Sequence, residues 1–168
     1  MTQIPISRRS FLASALALPA AVKADSRVRT EFVTQWGKRG KANGEFDIPI
    51  GIAFAPGDEL LVTEFRNNRV QRFSSEGKHL ATFSVPEMPG GIAVDHQGNI
   101  YVAQMMLHTI TRYDPSGKLT HSFGGKGTGP GQFDQPGGLA IGKDGSLYVA
   151  DQVNRRVQEF TTAGEFVR

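Results

Sequence analysis

The chain has 168 residues, with 19 Lys and Arg against 16 Asp and Glu, a formal net charge of +3, and no cysteine. The missing thiols exclude a disulfide framework, a cysteine zinc site and a lipid anchor on cysteine. The basic excess is not spread along the chain, and where it sits decides what it means.

Arg8 and Arg9 stand just before an apolar run from Phe11 to Val22, and Val22-Lys23-Ala24 ends in a small-residue cleavage pattern. This order marks residues 1–24 as an export signal, removed after Ala24. The run is shorter than the roughly twenty apolar residues a membrane-spanning helix needs. The string Ser7-Arg8-Arg9-Ser10-Phe11-Leu12 closely resembles the bacterial twin-arginine signal, whose pathway exports folded proteins. An ordinary secretory signal carrying two arginines is the alternative. The expected location is the periplasm or the cell exterior. Loss of Arg8, Arg9 and Lys23, with no acid, leaves 16 basic and 16 acidic side chains in residues 25–168. The mature chain is therefore neutral, and no nucleic-acid partner is expected, since phosphate neutralisation needs a basic face.

Downstream the sequence repeats. Residues 37–51, GKRGKANGEFDIPIG, align without a gap on residues 124–138, GGKGTGPGQFDQPGG, at a spacing of 87. A copy between them, GGIAVDHQGNIYVAQ from Gly90, lies 40 residues from the first and 47 from the third. The glycines look like a phosphate cradle, but Lys126 is followed by Gly127, and no helical periodicity follows Gly138. Each unit instead holds four short apolar or alternating runs divided by Gly-bearing turns, as in GGIAVD, NIYVAQ, HTITRY and KLTHSF. That pattern predicts short antiparallel strands. Four strands per repeat of about forty residues predict a β-propeller blade, which must pack on neighbours to bury its faces. The predicted fold is all-β: three four-stranded antiparallel blades, over residues 37–83, 84–123 and 124–168, forming a partial, open propeller.

The succession P-x-G-I-A, G-x-L-Y-V-A-D, N-x-R-V-Q-x-F and G-K resembles the NHL repeat, from about Thr30 to Arg168. The resemblance implies a propeller, commonly of six blades, so three blades amount to half a ring. The arc is read as part of a longer ring, with self-association of two half-rings as the rival. No single activity is implied, because relatives include binding modules as well as lyases and hydrolases.

Glu64, Asn67 and Arg69 recur as Asp151, Asn154 and Arg156 at the same turn of each repeat. Recurrence favours a scaffold role, with the carboxylate pairing with the arginine across the hairpin. The second repeat departs from this, with Gln104, Leu107 and Thr109 at those positions. Its turn, Met105-Met106-Leu107-His108, is expected to form an adaptable apolar patch beside Arg66, Lys126 and Arg155. Arg66, Met105, Met106, His108, Lys126 and Arg155 are thus the candidate ligand-binding residues. A turn covered by a neighbouring loop, or a decayed repeat, is the alternative. His79, His96, His108 and His121 fall at non-converging positions, so no metal site and no catalytic residue is expected. The functional expectation is a binding scaffold for a protein, peptide or glycan on the loop-rich face, with no cofactor evident. The alternative is a propeller enzyme of lyase or lactonase type, with zinc or calcium in the channel.

Overall fold

Alternating β-branched and aromatic residues between Gly-containing turns produce eleven strands of five to seven residues, and no helix occurs among the described residues. The computed structural model describes residues 31–168. Arg8, Arg9 and Ala24 lie outside them. The chain divides into two units, residues 1–34 and 35–168, and every strand belongs to the second.

The first blade is β1 (Pro49–Ala55), β2 (Glu59–Glu64), β3 (Arg69–Phe73) and β4 (His79–Ser84). The second is β5 (Pro89–Val94), β6 (Ile100–Gln104), β7 (Thr109–Tyr113) and β8 (Leu119–Gly124). The third is β9 (Pro136–Ile141), β10 (Leu147–Asp151) and β11 (Arg156–Phe160). Each sheet is antiparallel in sequence order: two of four strands and one of three. After β11 a turn leads to a single bridge between Phe160 and Phe166. The structure is thus an arc of propeller blades. Residues 31–38 form no strand.

Strands β1, β5 and β9 lie side by side at the inner edge, while β4 and β8 are outermost and exposed. The inner strands approach most closely at glycines. A Cβ on Gly51 would lie 2.9 Å from the Ile92 nitrogen, and one on Gly91 would collide with the Gly137 carbonyl oxygen. Gly51 and Gly91 each precede an Ile-Ala pair, whereas a Cβ on Gly138, the equivalent position in the third blade, would meet only an ordinary contact with Ala150 at 3.6 Å.

Two cores bind the blades together. One joins Leu61 and Val70 of the first blade to Ile92, Ile100 and Val102 of the second. The other joins Tyr101, Ala103 and Ile110 of the second to Leu147, Val149 and Phe160 of the third. A full aliphatic burial stabilises by about 1.5–3 kcal/mol, so these cores hold the arc. At the end opposite the long loops, the buried Tyr101 hydroxyl lies 3.0 Å from Asp95 Oδ2 and 3.1 Å from the Thr162 carbonyl oxygen, tying the second blade to the third. Burial, with the Asp95 charge beside it, pushes that phenol up to about 12.

Candidate functional site

The face carrying the long linkers is built from two recurring parts: the turn after each second strand and the linker that enters each blade. In the first blade the fully buried Glu64 carboxylate accepts from Asn67 Nδ2 (2.7 Å), Arg69 Nε (2.5 Å), Gln71 Nε2 (2.7 Å) and the Asp47 N–H (3.0 Å). Arg69 spends its remaining donors on linker carbonyls: Lys41 (2.7 Å), Ala42 (3.0 Å) and Glu45 (2.9 Å). Asn67 also donates to the Gly40 carbonyl, and the Gly44 N–H donates to Gln71 Oε1.

The third blade repeats this nearly bond for bond. Asp151 accepts from Asn154, Arg156, Gln158 and the Asp134 N–H. Arg156 donates to the carbonyls of Thr128, Gly129 and Gln132, and Asn154 to that of Gly127. These groups staple a long linker onto the turn beneath it. Gln71 and Gln158, absent from the sequence reading, are its fourth members; their signal was the Q of N-x-R-V-Q-x-F.

The staple also disposes of the phosphate cradle. The Gly125 N–H donates to the His108 carbonyl, that of Gly127 to Phe133, that of Gly129 to Gln132 Oε1 and that of Gly131 to Gln158 Oε1. A cradle needs free N–H groups converging on an anion, and these four are engaged.

The second blade loses the staple together with its object. The linker from β4 to β5 covers residues 85–88, whereas that from β8 to β9 covers residues 125–135. Those seven missing residues are the whole difference between the repeat spacings of 40 and 47. With no long loop to hold, Gln104 replaces the acid; its amide donates to Thr111 Oγ1 while Oε1 stays buried without a partner.

The candidate binding residues separate into distinct places. Met105 turns into a cleft of about 500 Å³ at the inner edge, which Ile50, Ile52, Phe65, Leu139 and Gln152 line together with glycine backbone. Phe65, Met105 and Gln152 occupy the same position in the three repeats. Met106 and Leu107 are about half exposed on the neighbouring surface, and Arg66, Lys126 and Arg155 are exposed. His108 is not on that surface. Its Nδ1 accepts from the Gln135 N–H (3.2 Å) and lies 3.3 Å from Asp134 Oδ1, while its carbonyl accepts from Gly125. Asn68 does the same in the first blade, where Oδ1 accepts from the Met88 N–H and the carbonyl from Val85. Asn68, His108 and Arg155 all take a left-handed backbone, with φ of 52°, 57° and 54°. His108 therefore joins the second blade to the linker of the third.

Among the described residues no group of three or more His, Asp or Glu converges as a metal site would require. His79 bonds Thr82 on an outer strand, His121 stacks on Phe123, and His96 lies exposed in a turn at the opposite end.

An arc of antiparallel blades, two of four strands and one of three, around a common inner edge defines a propeller-class protein. Residues 46–73 and 133–160, from the linker end through the third strand of the first and third blades, match the NHL repeat. The chain is 25% identical over 97 residues to Protein brain tumor of Drosophila melanogaster, covering 55% of this chain and 9% of that protein. Virginiamycin B lyase from Staphylococcus aureus superposes with a TM-score of 0.59 at 25% identity, over 71% of this chain and 40% of that one. A gluconolactonase from Xanthomonas campestris gives 0.61 at 18% identity, over 75% and 48%. The chain thus spans less than half the length of each of these relatives.

Proposed function

We propose that the protein is an exported binding scaffold that recognises a protein, peptide or glycan on the loop-rich face, around the cleft at the inner edge. The observation that carries this reading is the lining of that cleft: glycine backbone, apolar side chains and one amide, Gln152, without a titratable group. Such a surface offers shape, apolar area and backbone hydrogen bonds, which suit recognition. Exposed Met106 and Leu107 extend the apolar area, and Met adapts to varied partners. Arg66, Lys126 and Arg155 supply charge on the same face, which tunes association rate and salt dependence. Export through the twin-arginine route completes the reading and puts the scaffold in the periplasm or outside the cell.

The second reading, a propeller enzyme with a divalent metal, draws support from the likeness to virginiamycin B lyase. The cleft residues do not fit such an ion, because they present no carboxylate or imidazole to it. Metal analysis of the complete protein, purified without chelator, separates the two. The scaffold reading expects well under one zinc or calcium per chain. A stoichiometric ion would overturn it in favour of the enzyme.

A further inference from the structure

At each joint between blades, the last residue of the linker donates its N–H to the turn of the preceding blade. At the first joint the Met88 N–H donates to Asn68 Oδ1 (2.9 Å). At the second the Gln135 N–H donates to His108 Nδ1 (3.2 Å). Met88 and Gln135 each precede the proline that opens an inner strand, and both take a left-handed backbone, with φ of 54° and 53°. The two acceptors are equivalent in position, but only the imidazole takes up a proton near neutral pH.

A second contact bears on the same nitrogen. Asp134 Oδ1 lies 3.3 Å from His108 Nδ1. The amide needs a bare nitrogen with its lone pair, whereas the carboxylate is met by a protonated one. These neighbours make opposite demands, and one nitrogen satisfies them only in turn. The third blade pins Asp134 beside the ring: its N–H donates to Asp151 Oδ1 (2.7 Å) and its carbonyl accepts from the Val153 N–H (3.1 Å). Three other charged groups stand on the elements packed there. Lys126 is exposed in the same linker, and Arg155 is exposed in the turn after β10. Asp151 is buried and engaged by Asn154, Arg156 and Gln158. The turn that carries His108 has no other charge, from Met105 to Leu107.

We propose that His108 is a pH-operated latch between the second and third blades. Above the range in which imidazole titrates, about pH 6.5, Nδ1 is bare and holds the Gln135 N–H. Below it the added proton sits on Nδ1, the ring pairs with Asp134, and the Gln135 N–H loses its acceptor. A left-handed backbone disfavours a residue with a side chain, so the released Gln135 becomes a hinge where the linker enters β9. The first joint, with Asn68, keeps its bond throughout. The device does not depend on what the loop-rich face binds.

The test is NMR spectroscopy of the full chain from about pH 8 to about pH 5, the span around imidazole titration. The expected result is an unprotonated Nδ1 on His108 at the upper end, and a Gln135 amide resonance that moves with the same midpoint as the ring. Exchange of that amide, corrected for its intrinsic pH dependence, should quicken on the order of fivefold below the midpoint. The Met88 amide should stay in place. In His108→Asn the Gln135 amide should no longer respond, and in Asp134→Asn the midpoint of His108 should fall, because the proton loses its carboxylate. The titration of the unaltered chain, with Met88 as its internal control, decides the matter even where a variant fails to fold. A protonated Nδ1 at the upper end, a Gln135 shift that does not follow His108, an equal shift at Met88, a response that persists in His108→Asn, or an unmoved midpoint in Asp134→Asn would each overturn the proposal.

Discussion

Replacing Arg69 by alanine removes the group that ties the first long linker to the turn after β2. The side chain is 11% exposed and donates once to the Glu64 carboxylate and three times to linker carbonyls. Stripping one partner from a buried ion pair costs about 3–5 kcal/mol. Glu64 keeps Asn67, Gln71 and the Asp47 N–H, so the lower end, about 3 kcal/mol, applies here. In a domain of this size that corresponds to a fall of roughly 10 °C in Tm. Arg156 is 30% exposed, so its removal should cost less than that of Arg69. Thr109, the equivalent in the blade without a long linker, should tolerate alanine within about 0.5 kcal/mol. Urea unfolding of the three variants measures the order, and amide exchange at Gly40, Gly44 and Phe46 should quicken only in the Arg69 variant. A loss below about 1 kcal/mol for Arg69→Ala, or equal losses at positions 69 and 109, would refute the staple.

Further outcomes follow from other sites. His108→Asn should keep stability or raise it by up to about 1 kcal/mol, because Asn accepts from the Gln135 N–H and tolerates the left-handed backbone; unchanged stability with lost ligand capture would instead make His108 a ligand contact. The raised Tyr101 pKa means that the folded state keeps a proton the unfolded state releases. Its contribution is full below pH 10 and is lost as the pH rises toward about 12. Alkaline unfolding curves should therefore be shallower in that window for Tyr101→Phe, and identical curves would contradict the assignment. Changing Arg8 and Arg9 together to lysine should abolish export, as read by cell fractionation; undiminished export would point to the general secretory route.

The blades were legible in the sequence because their signals are local. Alternation, turn glycines and the repeat spacing each act over a few residues, and together they gave strand order and outer edge, while the third blade forms three strands and not the four expected. The Glu64 and Asp151 turns were legible as scaffold because they recur, but the carbonyls Arg69 and Arg156 hold lie 24 to 28 residues away, beyond any local pattern. The unequal spacings of 40 and 47 already held the reason for the second blade's departure. A linker seven residues shorter has no loop to staple, so the acid, Asn and Arg have no object there. His108 shows what sequence hides. Its neighbours in the chain suggest a surface patch, yet its backbone conformation and its bond to Gln135 in the next linker place it between blades.

Ligand capture from an envelope extract by the unaltered protein and by Met106→Ser/Leu107→Ser tests the central claim most directly. Both side chains are about half exposed, so melting should be unchanged, while loss of an apolar anchor should weaken binding by about 2 kcal/mol. The account predicts a captured species, identified by mass spectrometry, that the double variant retains roughly thirtyfold less well. Equal capture by both proteins, with melting unchanged, would contradict recognition at the face built around the second blade.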